Sequence, residues 1–457
     1  MFIQYLRKYL RSMTEQKSET SATRQLVREL LGAMTEGREV RAWLKQFGQL
    51  QPERFAIVKI GGGTLRDELD TICSALSFLQ KLGLSPIVVH GGGPQIDTAL
   101  ADAGIKTPRL DGLRVTSEQA MPIISAALRE VSLNFISALN AQGVQAQFCP
   151  ADTVQAKLVN PQKYGRVGAP DSINYQAITR SIQQGNLPIL TSIAIGPDGK
   201  QVNVNADALV RDLAIGLKPQ KIIFLTPTGG ILDENGQRIS VVQLVSDYEN
   251  LVTQDWLNGG MRLKLQQIQE TLDELPLTAS AAITSPDKLI KELFTHSGSG
   301  TLIRKGEAIH VIRDFDDLDR AAISELIETS FGRDLHSNFW KKTNFEFAVL
   351  SQSCRAVAMV SRLDETLYLD KFAVLEEARG EGLGAAVWTR LLQEAPCLFW
   401  RSRVGNPINP FYFQEADGNC KIGQWQVFWR GSIDWPNVHS HLKEIADLPD
   451  SFLKESQ

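Results

Sequence analysis

The sequence predicts an α/β protein with an open, mostly parallel sheet that has helices on both faces, followed by a smaller α+β domain. Two observations lead to this fold class. Between about residues 52 and 300, short apolar strands alternate with glycine-containing turns and amphipathic helices, a pattern typical of parallel sheets. After residue 303 several strands follow one another directly, and seven of the eight tryptophans lie beyond position 255. The length of 457 residues is sufficient for two or three domains.

The chain is accordingly divided into four parts. We predict an N-terminal helical arm over residues 1–50, a first domain over 51–303, a second domain over 304–445 and a tail over 446–457. The arm carries two apolar stripes, which so short a segment cannot bury by itself. The stripes either cover the first domain as a lid or form contacts with another copy of the chain. The second alternative makes the protein a homo-oligomer, which is the state that we expect.

Composition and charge argue against several classes of protein. The formal net charge of -4 and the isoelectric point near 6.0 leave no basic surface typical of nucleic-acid binding. No run of apolar residues approaches the length of a membrane span. The five cysteines are scattered without a Cys-x-x-Cys pair, which argues against disulfides or a zinc site. The basic segment Met1–Arg11 leaves an organellar targeting peptide as the alternative, but it lacks a secretory apolar core, and we expect a cytoplasmic protein.

The individual elements follow from apolar periodicity and turn residues. In the first domain we predict strands over 55–60, 86–90, 188–195 and 221–226, and helices over 65–82, 94–104, 117–142, 173–184 and 206–217. In the second domain we predict strands over 308–312, 345–351, 355–362 and 366–374, and helices over 316–331 and 385–394. Because ligands of parallel sheets bind at the carboxyl ends of strands, the residues directly after the first two strands are the first candidates for a site.

Two runs of three glycines follow these two strands. The first is Lys59-Ile-Gly-Gly-Gly63 and the second is His90-Gly-Gly-Gly-Pro94. Glycine has no Cβ and accepts positive φ, so consecutive backbone N–H groups can turn toward one point, and a following helix adds the partial positive charge of its N-terminus. Proline fits the first turn of such a helix. The runs therefore predict a binding site for a phosphate chain beside Lys59, with ordinary strand-to-loop turns as the alternative.

Polar residues at three further places of the first domain complete this hypothesis. Arg114 lies on a loop before a helix and is either a surface ion-pair partner or a bidentate ligand for a carboxylate. Asn203 lies in an extended segment, and Asp207 follows at the start of a helix, either as its N-cap or as a site residue. Lys264 follows a glycine pair and is either a solvated charge or, with Lys59, one of two cations around a transferred phosphoryl group.

Five motifs in this order resemble those of the N-acetylglutamate kinases of the amino-acid kinase family: Lys59-Ile-Gly-Gly-Gly, His90-Gly-Gly-Gly-Pro, Asp111-Gly-Leu-Arg-Val-Thr, Asn203-Val-Asn-Ala-Asp and Gly260-Met-Arg-Leu-Lys. The resemblance covers about residues 52–300. It implies the amino-acid kinase fold and transfer of the γ-phosphoryl group of ATP to the side-chain carboxylate of N-acetyl-L-glutamate. Such a transfer needs charge neutralisation and alignment more than covalent chemistry, which agrees with the residue types present.

The resemblance also implies roles for individual residues. Lys59 and Lys264 would neutralise the transferred group as catalytic residues, and Asp207 would orient both lysines. The implied ATP and phosphate ligands are Gly61, Gly62, Gly63, Gly91, Gly92 and Thr226, and the implied acetylglutamate ligands are Gly92, Gly93, Arg114 and Asn203. Mg²⁺ would enter with ATP, since the sequence shows no metal site made of protein ligands alone. Thr226-Pro227 departs from the Thr- or Ser-Asp-Val turn that is common in this family near the nucleotide.

The segment Lys291–Leu302 is a helix end followed by a serine- and glycine-rich turn. It is either an ordinary domain-closing loop or, by resemblance to the arginine-sensitive kinases of the same family, a binding site for L-arginine. In the second case Glu292 would bind the guanidinium group. The turn that would bind the α-carboxylate runs through Ser297, Gly298 and Gly300. The consequence would be allosteric inhibition by L-arginine.

A glycine-rich turn in the second domain, Arg379-Gly-Glu-Gly-Leu-Gly-Ala385, follows a predicted strand and precedes a predicted helix. This order places a helix N-terminus beside the turn, as pyrophosphate binding requires. The turn resembles the Arg/Gln-x-x-Gly-x-Gly/Ala motif of the GCN5-related acetyltransferases. The resemblance implies acetyl-CoA as co-substrate and, as its ligands, Phe372, Val374, Arg379, Gly380, Gly382, Gly384 and Ala385.

Together, the two domains resemble the bifunctional N-acetylglutamate synthase/kinases and the related vertebrate-type synthases. The resemblance implies that Lys371, Arg403 and Asn406 bind L-glutamate, that Lys371 helps to activate it, and that Tyr412 is the proton-transfer residue. An acid near the sulfur atom is chemically sensible because coenzyme A leaves as a thiolate. The alternative for Tyr412 is a core aromatic residue in a proline- and phenylalanine-containing turn.

Three hypotheses of function follow from the sequence. The first is an enzyme of arginine biosynthesis that acetylates L-glutamate with acetyl-CoA and phosphorylates N-acetyl-L-glutamate with ATP. The second is an N-acetylglutamate synthase whose kinase domain only senses arginine, and the third is a regulator without catalysis. We prefer the first, because a domain without kinase activity has no need of Lys59, Arg114, Asp207 and Lys264 together.

Overall fold

The chain forms two compact units, Met1–Lys305 and Gly306–Gln457. A computed structural model describes residues 47, 50–257, 259–294, 299–316, 318–342, 344–364, 366–378, 382–431 and 435–453. The sequence predicts the boundary between residues 303 and 304. Of the predicted N-terminal arm, only Phe47 and Leu50 belong to the described residues, so its predicted role lies outside them.

The first unit is built on a large sheet. In its described residues the strands are β1 (Ala56–Ile60), β2 (Ile87–His90), β3 (Arg109–Leu110), β4 (Leu113–Arg114), β5 (Ala146–Phe148), β6 (Val154–Leu158), β7 (Val167–Ile173), β8 (Leu187–Thr191), β9 (Ile193–Ile195), β10 (Gln201–Val204), β11 (Lys221–Leu225), β12 (Val241–Gln243), β13 (Ser280–Thr284) and β14 (Thr301–Arg304). Eight of them form one sheet in the order β12-β14-β13-β11-β1-β2-β8-β5. Neighbouring strands are parallel except β13 and β14.

Helices cover both faces of this sheet. They are α1 (Gly62–Asp67), α2 (Leu69–Lys81), α3 (Gly93–Asp102), α4 (Ala120–Ala141), α5 (Pro161–Tyr164), α6 (Tyr175–Gln183), α7 (Ala206–Leu217), α8 (Leu244–Val252), α9 (Gly259–Asp273) and α10 (Leu289–Phe294). Side chains of β1 alternate between two apolar cores, because successive residues of a strand point to opposite faces. Ile57 packs in the core that contains α7 and α9, whereas Val58 packs in the core that contains α2 and α4. The predicted mostly parallel sheet is confirmed.

Two predicted elements of the first unit are wrong in detail. The predicted strand 188–195 is two strands, β8 in the main sheet and β9 in a closed barrel with β6, β7 and β10. The predicted helix 65–82 is also two elements, because the backbone leaves helical geometry at Glu68, with φ -126° and ψ 28°. Neither break is marked by glycine or proline, so apolar periodicity continues through both.

One helix of the described residues, α4, is long and apolar enough to cross a membrane by length and composition, with a mean hydropathy of 1.2. A core helix passes the same test. The α4 side chains Leu128, Phe135 and Leu139 are buried in the apolar cores of this unit. Only 33% of the apolar window of α4 is buried, so packing against the sheet accounts for part of its apolar composition.

In its described residues, the second unit contains one seven-stranded sheet with helices on its two faces. Its strands are β15 (Ile309–Ile312), β16 (Phe345–Ser351), β17 (Ala356–Leu363), β18 (Thr366–Val374), β19 (Leu398–Arg403), β20 (Gly418–Ile422) and β21 (Trp425–Arg430), and its helices are α11 (Arg320–Phe331), α12 (Phe339–Lys342), α13 (Leu383–Glu394), α14 (Asn409–Glu415) and α15 (Trp435–Asp447). The strand order is β15-β16-β17-β18-β19-β21-β20. All neighbours are antiparallel except β18 and β19.

Strands β18 and β19 separate within this sheet. Both continue beyond the pair Leu369–Trp400, but the pairing between them ends there. A register shift between β17 and β18 at the same level leaves Asp370 outside the ladder. Phe372 of β18 packs in the core that contains α13, whereas Ala373 packs in the core that contains α11. The sheet therefore opens between two strands whose side chains reach both faces.

Candidate active sites

The first candidate site lies at the carboxyl end of β1, where two lysines share one aspartate. Lys59 Nζ lies 2.8 Å from Asp207 Oδ1, and Lys264 Nζ lies 3.5 Å from Asp207 Oδ2. The three side chains come from β1, α7 and α9, and only 14%, 20% and 16% of their surfaces are exposed, in the order Lys59, Asp207, Lys264. The structure thus brings together the three residues predicted to be catalytic in this unit.

The sheet positions the two lysines. Lys59 follows Ile57 by two residues and therefore points to the same face, on which α7 and α9 pack. Phe224 of β11 is the register partner of Lys59. Lys264 Nζ lies 5.0 Å from the centre of the Phe224 ring. The α9 lysine thus reaches the strand end through an aromatic contact, which also shields it from water.

The first turn of α7 positions the aspartate. Asn205 Oδ1 accepts hydrogen bonds from the N–H groups of Asp207 (2.7 Å) and Ala208 (3.3 Å), so Asn205 is the N-cap. The alternative that Asp207 itself is the N-cap is therefore wrong. The carboxylate of Asp207 points instead to the two ammonium groups, while the cap fixes the backbone that carries it.

Burial and mutual charge determine the protonation of this cluster. Burial by itself would raise the pKa of Asp207, but the charges of Lys59 and Lys264 and their hydrogen bonds outweigh it and hold that pKa below its usual value. Burial, followed by the charge of Lys59, lowers the pKa of Lys264, while Asp207 opposes this shift. With both lysines protonated, the cluster has an excess positive charge at the end of β1. Such a charge is suited to a phosphoryl group in transfer.

The two glycine turns lie directly against each other. The N–H of Gly91 donates to the carbonyl of Ile60 at 3.0 Å, and the side-chain amide of Gln95 donates to the carbonyl of Gly62 at 2.9 Å. A Cβ added at Gly62 would lie 2.6 Å from Cα of Gly92, closer than real Cβ atoms approach. Only glycine therefore permits this approach of the two backbones.

Helices begin at both turns, as the sequence predicts. Gly61 directly precedes α1 and Gly63 lies in its first turn, while Gly93 is the first residue of α3. Thr226 follows β11 at the same edge of the sheet, and its N–H donates to the carbonyl of Thr284 at 2.9 Å. The glycines and Thr226 that were predicted as phosphate ligands thus follow neighbouring parallel strands.

Two residues of the second turn have structural roles that the sequence did not reveal. His90 is fully buried, with Nδ1 3.0 Å from the carbonyl oxygen of Gly91 and Nε2 2.9 Å from Ser132 Oγ. Burial lowers the pKa of His90 to about 4, so the ring is neutral and ties the turn to α4. Gln95 links the two turns. Both residues are adjacent to the Gly-Gly-Gly-Pro motif, and this position in the sequence could have indicated their roles.

The residues predicted to bind acetylglutamate lie beside the second turn. Thr116 Oγ1 donates to the carbonyl of Arg114 at 2.9 Å and accepts from Asn203 Nδ2 at 3.2 Å. The guanidinium of Arg114 is buried, donates to Thr107 Oγ1 at 2.9 Å and forms an ion pair with Asp97 of α3. Arg114 and Asn203 are thus neighbours, and Asp97 is a partner that the sequence did not reveal.

Glu292 is buried at the end of the first unit's sheet. Its Oε2 accepts hydrogen bonds from the N–H groups of Ser299 (2.7 Å) and Gly300 (2.9 Å), while Oε1 has no hydrogen-bond partner among the described residues. Ser297 and Gly298 lie outside the described residues. The N–H of Gly300, a residue predicted to bind the α-carboxylate of L-arginine, is thus donated to Glu292.

The glycine-rich turn of the second unit lies against β18. Gly382 has a φ of 78°, a left-handed conformation that favours glycine, and caps α13. A Cβ at Gly384 would lie 3.2 Å from Cγ2 of Val374, so the helix start packs closely on the strand. The Phe372 ring packs edge-to-face on Trp388 of α13, with centroids 5.4 Å apart.

Three further residues predicted to bind acetyl-CoA are Ala385, Arg379 and Gly380, of which the structure describes only Ala385. Ala385 lines a cavity of about 440 Å³ together with Trp388, Phe411 and Arg430. The helix that carries Ala385 begins two residues earlier than predicted, at Leu383 rather than at Ala385. Arg379 and Gly380 lie outside the described residues, so their predicted contacts lie outside them as well.

Tyr412 lies in a cluster of aromatic rings on the α13 face of the sheet. Its ring centre is 5.7 Å from that of Trp388, 5.8 Å from that of Trp400 and 5.6 Å from that of Phe428. Only 6% of its surface is exposed, and burial raises the pKa of Tyr412, so the hydroxyl keeps its proton in the neutral range. The packing agrees with a core aromatic residue and the retained proton agrees with an acid.

Lys371 lies on the opposite face of β18 from Phe372 and Val374. Its ammonium group contacts Asp370, donates to Ser451 Oγ at 3.0 Å and lies 5.4 Å from the ring centre of Phe452. Lys371 and Tyr412 therefore do not meet on one face. They flank the opening between β18 and β19 from opposite sides.

Arg403 is the last residue of β19, and Asn406 lies in the turn that follows it. Arg403 Nη2 lies 3.1 Å from Asp450 Oδ2, and Asn406 Oδ1 accepts from the N–H of Ile408 at 3.2 Å. Asn409, the first residue of α14, holds this turn in place. It is buried, and its Nδ2 donates to the carbonyls of Arg403 (2.9 Å) and Val404 (3.0 Å), which fixes the turn.

Within the described residues, no group of three or more His, Cys, Asp or Glu side chains is arranged to hold a metal ion. Asp207, the acidic residue of the first site, has both carboxylate oxygens directed to lysines. The donor set of the first site thus fits the phosphates of a metal–nucleotide complex better than a bare divalent cation.

Comparison with known proteins decides the family. Residues 54–274 match the model of the amino acid kinase family, and residues 310–448 match that of NAT, the N-acetyltransferase of N-acetylglutamate synthase. The chain is 45% identical over 427 residues to acetylglutamate kinase of Xanthomonas campestris, which covers 92% of this chain and 100% of that protein. The chain belongs to the amino acid kinase family. This family member is an enzyme with a kinase domain followed by an acetyltransferase domain.

Other relatives share both domains of this amino acid kinase family member. Human mitochondrial N-acetylglutamate synthase is 30% identical over 426 residues, which covers 91% of this chain and 77% of that protein. Among solved structures, N-acetylglutamate synthase from Neisseria gonorrhoeae, complexed with coenzyme A and N-acetyl-glutamate, matches with a TM-score of 0.62 and 18% identity. The match covers 86% of this chain and 97% of that chain, and at this identity it concerns the fold.

Proposed function

We propose that this chain catalyses two consecutive reactions of arginine biosynthesis. The acetyltransferase domain acetylates L-glutamate with acetyl-CoA, and the kinase domain phosphorylates the resulting N-acetyl-L-glutamate with ATP. The observation that carries the proposal is the Lys59–Asp207–Lys264 cluster beside two glycine turns. The names of relatives that match almost the whole chain, an acetylglutamate kinase and an N-acetylglutamate synthase, support the choice of substrates.

The kinase reaction follows from the charges of the first site. The side-chain carboxylate of N-acetyl-L-glutamate attacks the γ-phosphorus of ATP, an acyl phosphate forms and ADP leaves. Lys59 and Lys264 stabilise the charge on the transferred group, and Asp207 keeps both ammonium groups at the strand end. The proposed phosphate ligands are Gly61, Gly62, Gly63, Gly91, Gly92 and Thr226. Mg²⁺ that enters with ATP would supply further charge neutralisation.

The substrate of the kinase reaction is placed by residues next to the second turn. Gly93, Arg114 and Asn203 are the proposed acetylglutamate ligands, together with Gly92. Arg114 is a bidentate donor for a carboxylate, and Asn203 is linked to the Arg114 loop through Thr116. In this proposal a substrate carboxylate shares the Arg114 guanidinium with Asp97.

The acetyl transfer uses the opening between β18 and β19. Acetyl-CoA lies on the α13 face, where Phe372, Val374 and the glycine-rich turn meet, and L-glutamate lies toward Lys371, Arg403 and Asn406. The deprotonated amine attacks the thioester carbon, the C–N bond of the new amide forms while the nitrogen releases one proton to solvent, and the C–S bond breaks. Tyr412 donates a proton to the leaving thiolate, for which a raised pKa is suitable because the hydroxyl stays protonated.

Inhibition by L-arginine at Glu292 is part of the same proposal. Its support is the buried Oε1 of Glu292, which has no hydrogen-bond partner among the described residues. A guanidinium group would pair with this atom. A structure of Neisseria gonorrhoeae N-acetylglutamate synthase is complexed with coenzyme A and L-arginine. A cytoplasmic homo-oligomer also remains our expectation, which fractionation and size-exclusion chromatography test.

The proposed reactions are tested by two separate product assays. Purified protein receives N-acetyl-L-glutamate, MgATP and hydroxylamine, which traps an acyl phosphate as a hydroxamate, and in a second tube L-glutamate and acetyl-CoA, with thiol release measured. We expect both products. Hydroxamate no higher than in a Lys59→Ala control would contradict the kinase reaction and favour a synthase whose kinase domain only senses arginine. Unchanged rates in millimolar-scale L-arginine would contradict the regulatory part.

A further inference from the structure

Residues 450–453 lie beside the residues that are proposed to bind L-glutamate. Arg403 Nη2 and Arg333 Nη1 lie 3.1 Å and 3.3 Å from the same atom, Asp450 Oδ2. Lys371 Nζ donates to Ser451 Oγ at 3.0 Å. Three cations, from β18, from the end of β19 and from the loop after α11, thus meet one short segment, which the sequence predicts only as a tail.

Backbone contacts fix this segment. Phe452 forms a β-bridge with Leu335, the N–H of His336 donates to the carbonyl of Ser451 at 3.0 Å, and the N–H of Leu453 donates to the carbonyl of Asp334 at 2.9 Å. The Phe452 side chain is buried in the core that contains α11. The position of Asp450 is therefore set by a folded segment and not by the ion pairs alone.

The two ion pairs differ in their exposure to solvent. The exposed side-chain fractions are 52% for Arg403, 34% for Asp450 and 19% for Arg333. Asp450 uses a single oxygen for both guanidinium groups, while Oδ1 accepts from the N–H of Phe452 at 3.2 Å. Within the described residues, Asp450 is the acidic partner of both arginines. The more exposed pair, Arg403–Asp450, is weak, so another carboxylate can replace Asp450 on Arg403. Arg333 is less exposed and also donates to the carbonyl of Leu453 at 2.9 Å, which keeps it beside Arg403 during such an exchange.

We propose that the Asp450 carboxylate occupies the place of a substrate carboxylate and competes with L-glutamate for Arg403 and Arg333. The inference rests on the proposed function in one respect, that L-glutamate binds on the Lys371 and Arg403 side. L-Glutamate has two carboxylates, but Arg403 and Arg333 are already paired with the carboxylate of Asp450. Binding therefore includes an exchange of carboxylates, and the apparent affinity is reduced by the fraction of molecules in which Asp450 is paired.

The test is the KM for L-glutamate, measured by thiol release with saturating acetyl-CoA. Asp450→Asn keeps the shape and the acceptor for the Phe452 N–H but removes the competing charge. We expect the KM for L-glutamate to fall about threefold to tenfold. The KM for acetyl-CoA should not change, because its proposed site is on the α13 face. Asp450→Glu retains a carboxylate and should restore a KM near that of the wild type.

Asp334→Asn is the matched control, because Asp334 is an exposed carboxylate of the loop that contacts the segment. It should leave the KM unchanged. Asp450→Ser is a second variant that keeps a hydroxyl acceptor for the Phe452 N–H, and thermal unfolding shows whether each variant is folded. An unchanged or raised KM in folded Asp450→Asn and Asp450→Ser would overturn this inference alone. Absence of thiol release from the wild type would overturn the proposed acetyl transfer and this inference with it.

Discussion

The two centres of this enzyme place their charges in opposite ways. In the kinase domain, Lys59, Asp207 and Lys264 meet within 3.5 Å at one strand end, and their charges face each other in a mostly buried cluster. In the acetyltransferase domain, Tyr412 is enclosed by aromatic rings, and the cation Lys371 lies on the other face of the sheet. One candidate centre concentrates charge, whereas the other separates Tyr412, the proposed acid, from the cation Lys371.

The difference follows from the two reactions proposed. A transferred phosphoryl group carries negative charge throughout, so cations must lie directly against it. In acetyl transfer the thioester is neutral and apolar, whereas the amino acid is charged. A split sheet suits this second case because each face can provide a different environment. The comparison therefore predicts that variants in one centre leave the other reaction intact.

The largest expected effect is that of Lys59→Ala on the kinase reaction. Loss of an ammonium group aimed at the transferred group should lower hydroxamate formation by about 100- to 1000-fold. Thiol release from acetyl-CoA should stay within about twofold of the wild-type rate, because substitutions at distant sites act independently. Lys200→Ala, which removes an exposed lysine of the same unit, is the control. Equal loss of both reactions would break the comparison.

Tyr412→Phe tests the other centre. Removal of the proposed acid should lower thiol release by about 100-fold, while hydroxamate formation from added N-acetyl-L-glutamate is retained. Tyr368→Phe is the matched control, since Tyr368 is buried in a different core of the same unit. Full acetyl transfer by folded Tyr412→Phe would leave Tyr412 as a core aromatic residue.

A smaller effect is expected where the two glycine turns meet. Gly62→Ala places a Cβ 2.6 Å from Cα of Gly92, so the turns must move apart. We expect hydroxamate formation to fall about tenfold, because displaced backbone donors no longer align the phosphates. Gly259→Ala is the control, since a Cβ there has open space. A wild-type rate in Gly62→Ala would show that close approach of the turns is not required.

The pH dependence gives the smallest and most specific effect. The pKa of Lys264 is lowered, first by burial and then by the charge of Lys59, so its positive charge is lost at a lower pH than that of an ordinary lysine. The kinase rate should therefore fall as the pH rises toward that depressed value. Asp207 opposes this shift, so Asp207→Asn should move the alkaline fall to lower pH. A profile that stays in place, or moves upward, would contradict the role given to Asp207.

Most of the kinase centre could be predicted from the sequence. In a parallel sheet, residues after neighbouring strands lie at one edge whatever the details of packing, so Lys59 and the glycine runs could be placed together. Partners of individual side chains could not be predicted. Asn205 as the cap of α7 and Asp97 as the partner of Arg114 depend on distances between elements that periodicity does not contain.

Less of the acetyltransferase centre could be predicted from the sequence. Strand alternation places Lys371 and Phe372 on opposite faces, and this is visible in the sequence, but the separation of β18 from β19 is not. The segment around Asp450 is short and carries no periodic pattern, so the sequence indicates only a tail. Its contacts with Arg333 and Arg403 arise from the tertiary fold alone.

One measurement tests the central claim that the two centres act in sequence. Purified protein receives L-glutamate, acetyl-CoA and MgATP, without added N-acetyl-L-glutamate, and thiol and ADP release are followed separately. We predict that ADP release begins after thiol release, stops when acetyl-CoA is left out and disappears in Lys59→Ala while thiol release continues. ADP release that does not depend on acetyl-CoA, or thiol release with no ADP formed by the wild type, would contradict the account.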